Sequence, residues 1–380
     1  MSRRNRSSLI NPDEITIVHA VAKTARNLFL IGQDNLLETD NSHRKDWVFS
    51  IMEFQASLMA VDVLDFAVMS NHIHFVLRSR PDAVKAWDDQ EVARRWLTLC
   101  PRSKTRTLVD GKVVHLPRPP KPSEIAAAVA DPQRIKKLRQ QLCSISWWMR
   151  LLCQKVAQRA NFEDGMSLGH FFKGRFHSVV INDEAHLLAC SVYVDLNAVK
   201  AAMAETLDGY KYTSASVRVE QIRLRHLAKA KLAEAELALP AQTTTPQESG
   251  TIGPPPPELC PLQKKALQGE FLSPIKLNTL ANIPELHTQG YRCSDKGFLD
   301  ISEREYIELL QWCIKNQLMD RQAEKPREIP ACLQARSVDI DLWVTQVRDF
   351  DKLYRYEAGL KPQKESLLVD SATGGRPEGS

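Results

Sequence analysis

Two β-rich runs, VDVLDFAVM and HIHFVLR, flank Ser70 and Asn71, and no other part of the chain narrows its fold as much. A two-residue gap of turn formers between branched and aromatic runs closes an antiparallel hairpin. Side chains alternate along a strand, so His72 and His74 share one face of the second arm while Ile73 enters the core on the other. An isolated hairpin is marginal in water, so the flanking sequence must supply the strands and helices that bury it.

Residues 14–22, EITIVHAVA, alternate at Ile15, Ile17 and His19 and predict a first strand. Residues 43–60 place Trp47, Ile51, Phe54 and Leu58 at three- and four-residue intervals, which predicts a helix with one buried face. After the hairpin, a polar insertion from about 80 to 139, with Pro, Lys and Arg dense in its second half, reads as a surface excursion holding a short helix in DDQEVARRWLTL. Residues 132–160 keep apolar groups on one helical face and basic groups on the other, and should pack under the sheet. GHFFKGRFHSVVI, 169–181, predicts a further strand, and Asn182 then caps a helix running to about residue 204, with Asp183 and Glu184 in its first turn.

The order strand, helix, strand, strand, helix, strand, helix is the ferredoxin-like (split βαβ) arrangement, an α+β fold whose antiparallel sheet leaves one face free for a site. The expected organisation is a flexible N-terminus at 1–13 and a catalytic unit at 14–216, then a charged helix and Pro-rich linker at 217–260. A helical C-terminal accessory region follows at 261–365, clearest in EREYIELLQWCIKNQL and DIDLWVTQVRDFDKLYRY, with a disordered tail at 366–380. At 380 residues the chain exceeds one usual core, in keeping with this division.

Lys and Arg total 51 against 46 acidic residues, a net charge of +5 that permits nucleic acid without demanding it. The eight cysteines form no Cys-x-x-Cys pair and no zinc-ligand spacing, so they read as reduced cytosolic thiols. No apolar segment follows MSRRNRSSLI to serve as a signal peptide, and none is long enough to span a membrane, so the expected location is cytoplasmic.

The paired imidazoles of His72 and His74 are how a strand presents two ligands to one divalent metal, Mn²⁺ or Mg²⁺, with positions left for a phosphate oxygen. Alone, such a triplet equally describes a polar sheet face. SVYVDLNAVKA adds Tyr193 and Asn197 one helical turn apart, a phenol and an amide oxygen able to share that site.

The runs FAVMSNHIHFVLRSRPD and FFKGRFHSVVINDEAHLLACSVYVDLNAVKAAMAE closely resemble the REP-associated tyrosine transposases and their insertion-sequence relatives in the HUH single-tyrosine superfamily. That family carries a Met-x-Asn-His-apolar-His strand, a Gly-Arg-Phe strand and a helix reading Tyr-apolar-x-x-Asn-Pro-x-Arg-Ala, and the resemblance covers about residues 14–216. It implies that His72, His74 and Asn197 hold the metal and that Tyr193 is the nucleophile. Ala198 stands where the family has Pro and Lys200 where it has Arg, so the helix and the positive charge survive both departures.

The implied activity is metal-dependent cleavage and rejoining of single-stranded DNA through a 5′-phosphotyrosine link, in DNA transposition or mobilisation of REP-type elements. A free phenol has a pKa near 10, so something must stabilise its anion, and Lys200 or the metal is a candidate. Arg78, Lys173 and Arg175, with the basic stretch 102–121, are candidates for following phosphates of single-stranded or hairpin DNA. Phe171, Phe172 and Trp147 are candidates for stacking on bases or for the core.

His19, His170, His177 and His186 have no partner at ligand spacing and read as structural or substrate-facing, while His43, His115, His226 and His287 read as surface residues. A monomer and a homodimer both remain open. Two other classes compete: a domesticated relative that binds structured single strands without cutting, and a water-using metal phosphoesterase. The second lacks its paired His-x-Ser/Thr repeats here.

Overall fold

The structure, a computed structural model, describes residues 10–34, 38–101, 104–109, 112–165, 169–238, 270–277, 290–320, 322, 326, 328–336 and 338–359. The part of the expected 217–260 helix and linker from residue 239 onward, and the whole 366–380 tail, fall outside the described residues. A five-stranded sheet forms the centre, built from β1 (Ile17–Lys23), β2 (Val61–Val68), β3 (His72–Ser79), β4 (His177–Ile181) and β5 (Glu357–Ala358) in the order β2-β3-β1-β4-β5. The hairpin forms as its sequence dictates: the Met69 N–H donates to the His72 carbonyl at 2.9 Å, with Ser70 and Asn71 as the two-residue loop. Gly32 lies so close to that loop that a Cβ on it would stand 2.3 Å from Ser70 Oγ.

β1 pairs antiparallel with both β3 and β4, but β5 joins β4 in parallel, which corrects the expectation of a purely antiparallel sheet. A two-residue strand carries no periodicity of its own, so nothing in the sequence marked it.

Helices cover both faces. Against one lie α1 (Arg44–Leu58) and, of the helices that follow β3, namely α2 (Pro81–Ala86), α3 (Asp89–Leu99), α4 (Pro122–Val129), α5 (Pro132–Leu142) and α6 (Ile145–Glu163), chiefly α6. Val18, Ala20, Ile73, Phe75 and Leu77 of the sheet pack there on Val48, Met52, Trp148 and Leu152. The single helix expected over 132–160 breaks at Cys143 and Ser144, where the Ser144 hydroxyl caps α6 by accepting from the Trp147 N–H. The 80–139 segment is no simple surface excursion, because Trp87, Val92 and Ala93 join this core.

The opposite face, expected to be open, carries α7 (Glu184–Asp195), α8 (Asn197–Lys200), α10 (Glu303–Lys315), α11 (Ala331–Gln334) and α12 (Ile340–Leu353). Leu64, Val76, Val179 and Ile181 share one core with Leu188 and Val192 of α7 and with Leu309, Trp343 and Phe350. The C-terminal helices therefore complete the core of the sheet. Between the two groups, α9 (Ser214–Ala238) is the charged helix anticipated from sequence, starting a few residues earlier than expected.

Arg78, a candidate phosphate contact, is instead interior. Its Nε donates to Asp62 Oδ2 at 2.9 Å and a terminal nitrogen donates to the Gly297 carbonyl at 2.7 Å. Arg80 donates to the same Asp62 oxygen at 3.0 Å, and all three side chains are buried. Asp62 serves both guanidinium groups, and Arg80 has a second carboxylate in Asp82, which accepts from its Nε at 2.9 Å, so neither cation is buried unpaired. Asp62→Ala leaves Arg78 without a carboxylate and Arg80 with Asp82 alone, and should destabilise the fold by about 3–5 kcal/mol in urea unfolding. A loss under about 1 kcal/mol would show that the pair is solvated instead.

Candidate active site

Helix α7 begins at Asp183, whose carboxylate accepts from the His186 N–H at 2.9 Å, one residue later than the Asn182 cap read from sequence. Every residue from Leu187 to Asp195 is buried, as expected for a helix apolar on all sides and enclosed between sheet and C-terminal helices. The helix ends at Leu196, and the single turn Asn197–Lys200 follows. This geometry sets Tyr193, Asn197 and Lys200 at one end of a cleft of about 560 Å³ that also takes in His72, His74 and Asp351.

The two imidazoles of β3 lie with ring centroids 4.7 Å apart, and the Tyr193 ring centroid is 5.6 Å from that of His74. Phenol and paired imidazoles thus meet on one side of the sheet. Phe350 of α12 stacks on the Tyr193 ring at 5.9 Å and leaves the residue only 3% exposed. Burial pushes the phenol pKa well above its ordinary value, and the negative charge of Asp351 adds to the effect, while Asn197 opposes it.

Lys200 lies over the ring face, its Nζ 5.2 Å from the centroid, and it donates to the Arg348 carbonyl. The Asn197 amide nitrogen donates to the Tyr193 carbonyl at 3.3 Å, which leaves its oxygen as the uncommitted atom.

His19, read from sequence as lacking a ligand-spaced partner, is the residue that sequence reasoning missed. Its Nε2 lies 2.9 Å from His74 Nδ1, and the two rings stack at 5.2 Å. In the tautomer in which His74 Nδ1–H donates to His19, a lone pair rests on His74 Nε2, a buried atom with no hydrogen-bond partner among the described residues. His72 Nδ1 is likewise engaged, 2.6 Å from Asn71 Oδ1. Imidazoles whose Nδ1 is tied down this way are oriented as metal ligands are.

The donor set fits a divalent cation in part. Among the described residues no three His, Cys, Asp or Glu side chains gather into a metal site, so two imidazoles need the Asn197 oxygen or a substrate oxygen to finish a shell.

Burial, with smaller contributions from Lys23, pushes the His72 pKa down to about 4. Burial first, then the neighbouring His177 and His72, takes His19 down to about 3, and His74 falls well below its ordinary value for the same leading reason. These imidazoles are neutral at physiological pH, the form that binds metals. In metal-free protein the unfolded chain binds more protons than the folded one as pH falls below 6.5, so stability rises with pH from about 4 to 6.5 and is level above. His72, held down to about 4, contributes about 2 kcal/mol to the difference between pH 5 and pH 7, readable by urea unfolding, and His19 and His74 act in the same direction. A flat profile would mean that the rings are solvated.

Lys173 and Arg175 are exposed at the cleft, joined by Lys23 and His177. Gly174 between them has φ +66, a left-handed turn that glycine adopts without strain and that presents both cations on a tight loop. The Lys173 N–H donates to the Lys23 carbonyl at 2.7 Å and fixes the loop to β1. Phe171 is buried in the core and is withdrawn from the stacking candidates. His186 is bound to Asp183 at 2.7 Å and His43 to Glu163 at 2.7 Å, while His287 lies outside the described residues.

Comparison with known proteins adds little beside this geometry. No protein-family model matches the chain, and no curated protein matches it. Among solved structures it is similar to the "Structure of the REP associates tyrosine transposase bound to a REP hairpin", at 12% identity over 56% of this chain and 82% of that one, with a TM-score of 0.28. Among the described residues no helix is long and apolar enough to cross a membrane.

Proposed function

We propose that this chain is a metal-dependent transposase or endonuclease of single-stranded DNA that cuts and rejoins strands through a 5′-phosphotyrosine on Tyr193. The observation that carries the reading is the 5.6 Å approach of the Tyr193 ring to His74 in a cleft rimmed by Lys173 and Arg175. The strand order β2-β3-β1-β4, with helices between β1 and β2 and between β3 and β4, supports the ferredoxin-like arrangement expected from sequence, with β5 as an added edge.

In this reading Lys173 and Arg175 bind the phosphates flanking the scissile bond, and His72, His74 and Asn197 hold Mn²⁺ or Mg²⁺. When bound, such an ion withdraws charge from a non-bridging phosphate oxygen. The Tyr193 oxygen forms a bond to phosphorus as the bond to the 3′ oxygen breaks; the phenol gives up its proton and the departing 3′ oxygen takes one up, leaving as a 3′-hydroxyl. The new ester preserves the phosphodiester, so a 3′-hydroxyl from another strand reverses the step without ATP. A water nucleophile would forfeit that reversal. One tyrosine gives one cut, so moving an element calls for a second subunit or a second round.

One observation favours a rival. Tyr193 is nearly enclosed beneath Phe350, as expected of a domesticated protein that binds structured single strands and no longer cuts them. Incubation with a library of single-stranded oligonucleotides and Mn²⁺ separates the two: an adduct that survives denaturation, mapped by mass spectrometry to Tyr193, supports cleavage. Binding without an adduct supports the rival.

A further inference from the structure

A second cleft, of about 590 Å³, opens where α5 meets α6, and Arg175 lines it as well as the first. Its volume is that of a small-ligand site. The sequence around it mixes cations, amides and one indole: Lys137 and Gln140 exposed on α5, Gln141 at its end, then Ser146 and Trp147 at the start of α6.

Gln141 is the unusual member. It is 7% exposed, and its side-chain amide meets no hydrogen-bond partner among the described residues. Its amide is not sealed away but opens on the cleft, where it offers a ligand both donor and acceptor edges. Trp147 is held in place beside it. The Trp96 ring meets it edge-on at 5.5 Å, and the Arg150 guanidinium lies 4.7 Å from its centroid. An indole fixed by its neighbours loses little freedom when a flat ring stacks on it.

We propose that this cleft is a nucleobase subsite, in which one unpaired base of a DNA strand stacks on Trp147 and is hydrogen-bonded along its edge by Gln141. The assignment rests on the DNA-cleaving reading of the Tyr193 cleft and extends it. Arg175 sits between the two clefts, so a strand whose phosphate lies at Tyr193 continues past a cation into the second. Lys137 meets the backbone on the far side. Stacking surface, a two-way hydrogen-bonding amide and flanking cations are the components of single-strand recognition.

The test uses the full chain and a random-sequence single-stranded library of about 20 nucleotides carrying 5-iodouracil in place of thymine. Irradiation followed by mass spectrometry should place cross-links on Trp147. Trp147→Ala should weaken filter retention of the library roughly 5- to 150-fold, as loss of one stacked base does. Gln141→Leu, which removes a group without internal partners and so keeps the fold, should weaken it roughly 2- to 10-fold. Cross-links confined to the Tyr193 cleft, with both variants binding as the natural chain does, overturn the subsite and leave the DNA reading standing. No cross-link at either cleft removes both.

Discussion

Tyr193→Phe should yield no denaturation-resistant protein–DNA adduct, a fall of at least about 1,000-fold, while the protein still binds single strands. The loss follows from the nature of the step, because a phenylalanine ring carries no oxygen to bond to phosphorus. The hydroxyl removed interacts with the Asn197 and Asp351 side chains, while the ring contacts to His19, His74 and Phe350 are kept. Loss of those contacts should cost no more than about 1.5 kcal/mol, so the adduct band can be compared at equal folded protein. An adduct formed undiminished by Tyr193→Phe would move the nucleophile elsewhere and remove the central assignment.

The second large effect concerns the cation. For the natural chain, Mn²⁺ at 100 times its dissociation constant should raise stability by about 2.7 kcal/mol, seen as an upward shift in the thermal midpoint. His74→Ala removes the candidate ligand whose Nε2 is buried and without a partner among the described residues, so this shift should vanish and adduct formation should fall by at least about 1,000-fold. His72→Ala, at a less buried position, repeats the test where packing matters less. His19→Ala should act differently. It leaves both ligands but frees the His74 ring, so affinity should drop roughly 10- to 100-fold without disappearing. If Mn²⁺ and Mg²⁺ leave the natural chain's midpoint unmoved, no metal is held there.

Much of this was legible in the residues, and the parts that were not share a cause. The hairpin was readable because its turn is two residues long and its arms are branched and aromatic throughout. Periodicity placed α1 and both C-terminal amphipathic helices, since a 3.6-residue repeat survives without knowledge of partners. The phase of α1 was another matter. Apolar residues occur on two of its faces, and the face that faces the core is Val48, Met52 and Ala56, while Phe54 is 40% exposed with Lys155 over its ring.

His19 was missed because its contact is across strands: it stands opposite Val76, and His74 opposite Val21, a diagonal that only the register of β1 on β3 creates. Arg78 misled for a related reason. Counting outward from the turn puts Asp62 opposite Ser79, but a bulge between Val63 and Asp65 shifts the pairing by one and brings Asp62 opposite Arg78. Opposite charges facing each other across a hairpin were the available signal, and one inserted residue concealed it.

The placing of Phe350 and Asp351 over the phenol also bears on when, during synthesis, the protein becomes competent. A ribosome that has passed residue 300 has already made every imidazole, the phenol and the sheet strands β1 to β4, yet the lipophilic side of α7 still faces water. Folding of that face must wait for the last elements to emerge, so the growing polypeptide carries its reactive oxygen in an unfinished setting until translation is nearly done. Fragments ending before α12 should therefore be sticky and short-lived in the cell, and any shortened version sought for practical use has to keep residues 340–358.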